Sequence, residues 1–253
     1  MTGVKVQGVT KVFGREPETT ITLQKLDLDI ESGKIVSIIG PSGCGKSTLL
    51  YMIAGLIAPT AGEIFIGGDR IHKPDPRIGI VFQEFRIFPW LTVQRNVMIG
   101  VQFSKGGKAA SQAAADKYIR MVGLNGFENH YPKQLSGGMK QRVAIAQTFA
   151  CDPDVVLMDE PLGSLDALTR EILQEEILRI WAASGKTIVL VTHSIEEAIY
   201  LGQKVVVMSP RPTRILQTFD VPLPFPRTPD MRVSPEAGEL RKNIWSLLRS
   251  SAS

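Results

Sequence analysis

Gly40-Pro41-Ser42-Gly43-Cys44-Gly45-Lys46-Ser47-Thr48 follows the apolar run Ile35-Val36-Ser37-Ile38-Ile39 and leads into a helical pattern over residues 49–57. A G-x-x-x-x-G-K-S string with a strand before it and a helix after it is the context of a phosphate-binding loop. Glycines admit backbone conformations that a β-carbon would block, so successive N–H groups can turn inward on an anion. The helix starting near Lys46 adds the positive end of its dipole. In such a loop the Lys46 ammonium meets the β- and γ-phosphates and the Ser47 hydroxyl is a ligand of Mg²⁺. A plain glycine turn explains the glycines but not Lys-Ser at this spacing.

Cys44 has two readings. A thiol among inward-pointing N–H groups can have a lowered pKa and react readily; the other reading is a small filler residue. With Cys151 it makes neither a metal-ligand spacing nor a disulfide framework.

The chain has 253 residues, 43% of them hydrophobic and 21% charged, which is the composition of a globular protein large enough to bury a sizeable core. No apolar run approaches the roughly 20 residues that span a bilayer, and Met1-Thr2-Gly3-Val4-Lys5 lacks the apolar core of a signal peptide. A cytosolic protein is expected. The net charge of +4, from 29 Lys and Arg against 25 Asp and Glu, is mild and scattered, so no nucleic-acid partner is expected.

Upstream of the loop, Val4-Lys5-Val6, Ile21-Thr22-Leu23 and Leu26-Asp27-Leu28-Asp29-Ile30 predict an antiparallel sheet leading into the core. Within it Phe13 is either an exposed ring able to stack on an adenine or a residue packed on the sheet. Downstream, residues 63–68 read as a strand and turn, and the strand Ile78-Gly79-Ile80-Val81-Phe82 ends at Gln83. A neutral amide there can coordinate Mg²⁺ or water and report on nucleotide through the loop behind it. That loop crowds Phe85, Ile87, Phe88 and Trp90 around Pro89, which suits either a core or an interface. Helical patterns follow at residues 91–99 and 109–122 and predict an inserted helical subdomain.

Ser136-Gly137-Gly138 opens another helix and offers a hydroxyl, free N–H groups and a dipole end, a second anion site; taken alone, Ser136 is an ordinary N-cap. Asp154-Val155-Val156-Leu157-Met158-Asp159-Glu160 is an apolar strand ending in two carboxylates. Beside a phosphate loop, Asp159 is placed to hold Mg²⁺ and Glu160 to polarise the attacking water. After Ser164-Leu165-Asp166 comes a helix read as buried, with Leu165, Leu168 and Ile172 on one stripe and Leu173, Ile177 and Trp181 on the next. The strand over residues 187–192 ends at His193, a candidate hydrogen-bond donor to a γ-phosphate oxygen. His72 and His130 lack such context. Strands at residues 204–208 and 215–219 bracket Ser209-Pro210-Arg211-Pro212-Thr213, and a proline-rich stretch precedes an amphipathic helix over residues 235–249.

Together these residues resemble the nucleotide-binding subunits of ATP-binding cassette (ABC) transporters over essentially the whole chain. In that likeness residues 40–48 are the Walker A loop, Gln83 the Q-loop glutamine, and residues 135–142 the signature. Residues 155–159 are Walker B, followed by the catalytic glutamate Glu160. Ser164-Leu165-Asp166 is the D-loop, His193 the switch histidine and Phe13 the A-loop aromatic, where many relatives carry Tyr. The stretches 88–93, 160–170 and 208–212 resemble more narrowly the nitrate, sulfonate and taurine importer ATPases. Gln147, where relatives usually place Arg, and a longer segment at residues 15–19 depart from the pattern.

The resemblance implies an α/β fold: a P-loop NTPase (RecA-like) core sheet with an N-terminal antiparallel β subdomain and an inserted α-helical subdomain. Residues 1–83 and 151–230 would form the β subdomain and core, 84–150 the helical subdomain, and 231–253 a C-terminal helix, all in one domain. It implies ATP and Mg²⁺ as ligands, and a head-to-tail dimer, of identical or paralogous chains, in which Ser136, Gly137 and Gly138 of one copy cover ATP held by the other. It further implies permease subunits docking near residues 83–90, a substrate-binding protein acting through the permease, and a peripheral place at the cytoplasmic face of the membrane. The rival is a soluble ABC-type ATPase not coupled to transport; those usually carry two cassettes or long coiled-coil or zinc-bearing insertions, which this sequence lacks. A regulatory module without turnover is the second rival, against which Glu160 and His193 speak.

Overall fold

The computed structural model describes residues 2–15, 18–104 and 108–251. In chain order the elements are β1 (Val4–Arg15), β2 (Glu18–Ile30), β3 (Ile35–Ile39), α1 (Lys46–Ile53), β4 (Ala61–Ile66), β5 (Asp69–Arg70), β6 (Ile78–Val81), α2 (Val93–Ser104) and α3 (Lys108–Met121). They continue with α4 (Gly137–Ala150), β7 (Val155–Asp159), α5 (Ala167–Ser184), β8 (Thr187–Thr192), α6 (Ile195–Leu201), β9 (Lys204–Met208), β10 (Ile215–Asp220) and α7 (Pro235–Ser251). The chain falls into two compact units, Met1–Asp75 with Gly185–Ser253, and Pro76–Ser184. Two residues of the long 15–19 segment, 16 and 17, lie outside the described residues.

In the first unit β1 pairs antiparallel with both β2 and β4. Leu26, Leu28 and Ile30 are buried while Lys25, Asp27 and Asp29 face out, the period of two that half-buried strands require. The two short β2 segments legible in the sequence are one strand, broken in phase at Lys25, whose φ is 46°. Its N–H donates to Thr10 Oγ1 at 3.1 Å, which stabilises the irregularity. A two-residue Gly67-Gly68 turn joins β4 to β5, and both glycines have positive φ, as tight hairpins demand.

The same unit holds a second sheet in the order β10-β9-β3-β8, with β3 parallel to both of its neighbours and β10 antiparallel on β9. Every residue of β3 and β8 is buried, which is why both read as continuous apolar runs and not as alternations. α7 packs Ala237, Leu240 and Ile244 against Ile195, Ile199, Val205 and Val207 and covers β9 and α6. The proline-rich stretch before it is held by buried Arg227, which donates to the carbonyls of Leu223 and Gly202. Burial pushes this guanidinium down to about 10.

In the second unit β6 and β7 are parallel, and α2, α3 and α4 pack together around Val97, Ile119, Val122, Val143, Ile145 and Phe149. α2 begins at Val93, two residues later than its apolar pattern, because the loop before it is tied to Asn96. This buried amide accepts from Phe88 N–H at 2.7 Å and donates to the carbonyls of Phe88, Leu91 and Thr92.

The expectation for α5 is corrected in part. Leu173 and Ile177 are buried, but Leu168 is 69% and Ile172 42% exposed. The helix buries the face of Leu173, Ile177 and Ile180; of the other expected stripe, Leu165 is buried just before the helix while Leu168 and Ile172 are turned out.

An ion pair ties α4 to α5: Arg142 Nη1 lies 2.6 Å from Glu176 Oε1 and donates to Val122 O at 2.7 Å. Burial pushes the Glu176 carboxyl up, against the pull of the Arg142 charge. Arg142→Ala should therefore lower unfolding stability by about 3 kcal/mol, the cost of leaving a buried charge without its partner. Urea unfolding of the variant measures it.

Candidate functional site

The first unit carries the loop at residues 40–48. Gly43 and Gly45 have φ of 73° and 121°, which L side chains rarely adopt, and a β-carbon on Gly45 would stand 2.8 Å from Thr22 Cγ2. The glycines are therefore required by the path of the backbone. α1 begins at Lys46, so the positive end of its dipole opens at the loop's end. Lys46 is buried, and its ammonium donates to Gly40 O at 2.9 Å and Pro41 O at 3.1 Å. A cation held by the loop's own carbonyls is positioned before any anion arrives.

Cys44 is buried, and burial pushes its thiol up despite the nearby Lys46 charge. Burial favours the filler reading, and the packing agrees with it: Cys44 Sγ would be 3.1 Å from a β-carbon on Gly40. Its carbonyl accepts from the hydroxyl of fully buried Thr213.

His193 and Phe13 stand on other elements of this unit. His193 is exposed at the end of β8. The corner behind it is fixed by Thr192 Oγ1, which donates to Glu197 Oε2 at 2.9 Å and accepts from Ser194 N–H at 3.1 Å. Phe13 is 42% exposed on β1, with Lys11 Nζ 4.9 Å from its ring centroid, so the ring is not consumed by packing on the sheet.

The second unit brings Gln83 and Glu160 together. β6 and β7 are parallel neighbours, so the residues after their ends are adjacent, and Gln83 Nε2 lies 3.5 Å from Glu160 Oε2. Asp159 is buried as the last residue of β7. Glu160 has φ 44°, a conformation uncommon and costly for a non-glycine residue. Among the described residues no three His, Cys, Asp or Glu side chains cluster as a metal cage. This donor set fits a cation of the Mg²⁺ kind, which takes one or two protein oxygens and the rest from water and phosphate.

The same unit places Ser136 as the N-cap of α4, its hydroxyl accepting from Met139 N–H at 3.3 Å. Gly137 and Gly138 are the first helical residues. A β-carbon on Gly138 would stand 2.6 Å from Thr169 Cγ2. Thr169 N–H also donates to Asp166 Oδ1 at 3.0 Å and holds that carboxyl below its usual range. Residues 136–138 and Asp166 are thus linked through one threonine.

Trp90 is 70% exposed, its ring 5.6 Å from that of Phe88. The Asn96 knot presents this aromatic pair on a fixed loop, not in a core. Asn96, Thr213 and the Arg142–Glu176 pair were not visible as site-building residues, because single polar residues carry no periodicity.

The family model described as ABC transporter matches residues 23–163. The aliphatic sulfonates import ATP-binding protein SsuB of Bacillus cereus is 45% identical over 249 residues, covering 95% of this chain and 94% of that protein. The taurine import ATP-binding protein TauB of Roseobacter denitrificans is 43% identical over 244 residues, covering 96% and 89%. Among solved structures, a dimeric post-hydrolysis ATP-binding cassette bound to ADP and Pi superposes with a TM-score of 0.77 at 35% identity, covering 86% of this chain and 98% of that one. The fold is that of a P-loop NTPase, and the chain belongs to the ABC transporter family as an ATP-binding subunit whose activity is ATP hydrolysis.

Proposed function

We propose that this subunit energises the import of a small solute of the sulfonate, taurine or nitrate kind through a partner permease. The observation that carries the reading is its likeness, over nearly the full length of both chains, to proteins named as sulfonate and taurine import subunits. In this reading Lys46 and the N–H groups of residues 42–48 hold the phosphates of ATP, and Phe13 stacks on the adenine. Ser47 and Asp159, with Gln83, would hold Mg²⁺, which when bound offsets charge on the phosphate oxygens. Glu160 takes a proton from water as the water oxygen bonds to the γ-phosphorus and the bond to the ADP oxygen breaks. His193 donates to a γ-phosphate oxygen, an orientation that the Thr192–Glu197 corner supports.

A second copy would lay Ser136, Gly137 and Gly138, with Asp166 beside them, over the same phosphates, so that ATP closes a dimer and hydrolysis with release reopens it. Whether the two chains are identical or paralogous, permease states that differ in preference for the closed dimer are moved by ATP through linkage. No helix among the described residues is long and apolar enough to cross a membrane. The subunit would thus reach the cytoplasmic face of the membrane through its permease.

The aromatic pair Phe88 and Trp90 is the surface we assign to that contact. Replacing both with Ala should leave the ATPase rate of the isolated chain within about twofold and reduce solute uptake by about tenfold or more, as loss of aromatic anchors does at interfaces. Uptake assays with the assembled transporter read the difference. Purifying that complex with its substrate-binding protein, and identifying the solute retained, tests the function as a whole: a sulfonate, taurine or nitrate-like anion supports it. An ATPase that co-purifies with no membrane protein returns the chain to the soluble, uncoupled class.

A further inference from the structure

The turn at residues 209–213, between β9 and β10, is fastened to the phosphate loop. It leaves β9 beside Gly40, where a β-carbon would stand 3.0 Å from Met208 O. Ser209 N–H donates to Arg214 O, and Arg214 N–H donates to Ser209 Oγ, both at 3.0 Å, which closes the turn on itself. Thr213 then binds it down on two sides. Its N–H donates to Thr22 O and its carbonyl accepts from Gln24 N–H, both at 3.0 Å, while its hydroxyl donates to Cys44 O inside the loop.

The side chain that this scaffold presents is Arg211. Its guanidinium Nη2 lies 3.9 Å from where a β-carbon would stand on Gly43, at the rim of the loop. Its charge is close enough to act on the thiol of Cys44 in the same loop. Arg211 is exposed, and among the described residues no carboxylate lies within ion-pair distance of it.

The loop is already electropositive, through inward N–H groups, the start of α1 and Lys46. Holding another cation there on a fixed turn is electrostatically unfavourable until an anion arrives. A planar guanidinium is the group best shaped to take two oxygens of a phosphate.

We propose that Arg211 is a second cation of the phosphate loop, closing from the rim at Gly43 on the polyphosphate tail of the bound nucleotide. The inference rests on reading residues 40–48 as the nucleotide site. It gives a part in binding to the stretch 208–212, which in the sequence marks only a subfamily.

The test is nucleotide titration of the full chain in a Glu160→Gln background, which slows turnover during the measurement. Arg211→Gln should weaken ATP and ADP binding about tenfold, the loss expected for one charge-assisted contact at a partly exposed site. Arg211→Lys should weaken it about threefold, since the charge remains and the fork is lost. The deficit of Arg211→Gln should shrink as salt is raised from about 50 to 300 mM, because an exposed ionic contact is screened. The ratio of ATP to GTP affinity should not change, because the base is not touched.

A merely structural role gives another pattern. Thr213→Val, which loosens the turn with the charge intact, should lower the nucleotide-free melting temperature, whereas Arg211→Gln should not lower it. Equal affinity in Arg211→Gln and the parent at low salt overturns the proposal. So does normal affinity combined with loss of ATP-driven self-association, which would move Arg211 to the contact between subunits. Lys46→Ala separates the two levels: if it too binds normally, the nucleotide site has been misread, and if it alone fails, only the role of Arg211 is lost.

Discussion

Glu160→Gln should reduce ATP turnover by about two to four orders of magnitude, the range for removing a positioned general base, while nucleotide affinity stays within about twofold. The substitution keeps size and hydrogen-bonding reach and removes only the negative oxygen. It is also conservative for the fold: the positive φ of Glu160 costs an amide much what it costs a carboxylate, and Gln83 at 3.5 Å can donate to either. A fall in turnover can thus be assigned to chemistry and not to a displaced β7 end. Single-turnover kinetics, with ATP binding measured separately, make the division. Turnover at the parent rate would remove Glu160 from the reaction.

Lys46→Ala should weaken ATP binding about a hundredfold or more and abolish hydrolysis at millimolar ATP. Lys46 is buried and already oriented by the carbonyls of Gly40 and Pro41, so its contacts with phosphate are made with little loss of side-chain freedom. Two charge-assisted contacts at about 1.5–3 kcal/mol each account for the size of the effect. The same change removes one donor from Gly40 O and one from Pro41 O, which still accepts from the N–H of Cys44 at 3.2 Å. A smaller loss of nucleotide-free stability, about 1–2 kcal/mol, should accompany it. Titration and thermal melting of one preparation read both, and a variant that loses stability but keeps ATP affinity would contradict the assignment.

Much of the fold was legible for a definite reason. β3, β7 and β8 are buried on both faces, so composition alone marks them, and the loop after β3 is marked by glycines that its backbone requires. Apolar character is not burial, however. Leu168 and Ile172 share a helical stripe as regular as that of Leu173 and Ile177, yet they are exposed, because neighbouring elements decide which stripe is covered.

Polar scaffolding was harder still to see. Asn96 holds the Phe88–Trp90 loop, and Thr213 ties a distant turn to Cys44, each through contacts that neither spacing nor composition encodes. Cys44 shows the same limit in reverse. Its neighbours in sequence left an activated thiol and a filler residue both open, and the burial that pushes the thiol up comes from packing.

The central claim is that one chain supplies half of a catalytic unit, residues 40–48 holding the nucleotide that residues 136–138 of a second copy cover. The most direct measurement is the mass in solution of the Glu160→Gln variant, by light scattering or sedimentation, with ATP and with ADP. A dimer is expected with ATP and a monomer with ADP, and no ATP-driven dimer when Ser136 is also replaced by Arg. A Glu160→Gln chain that binds ATP stoichiometrically and stays monomeric at every concentration tested would contradict it.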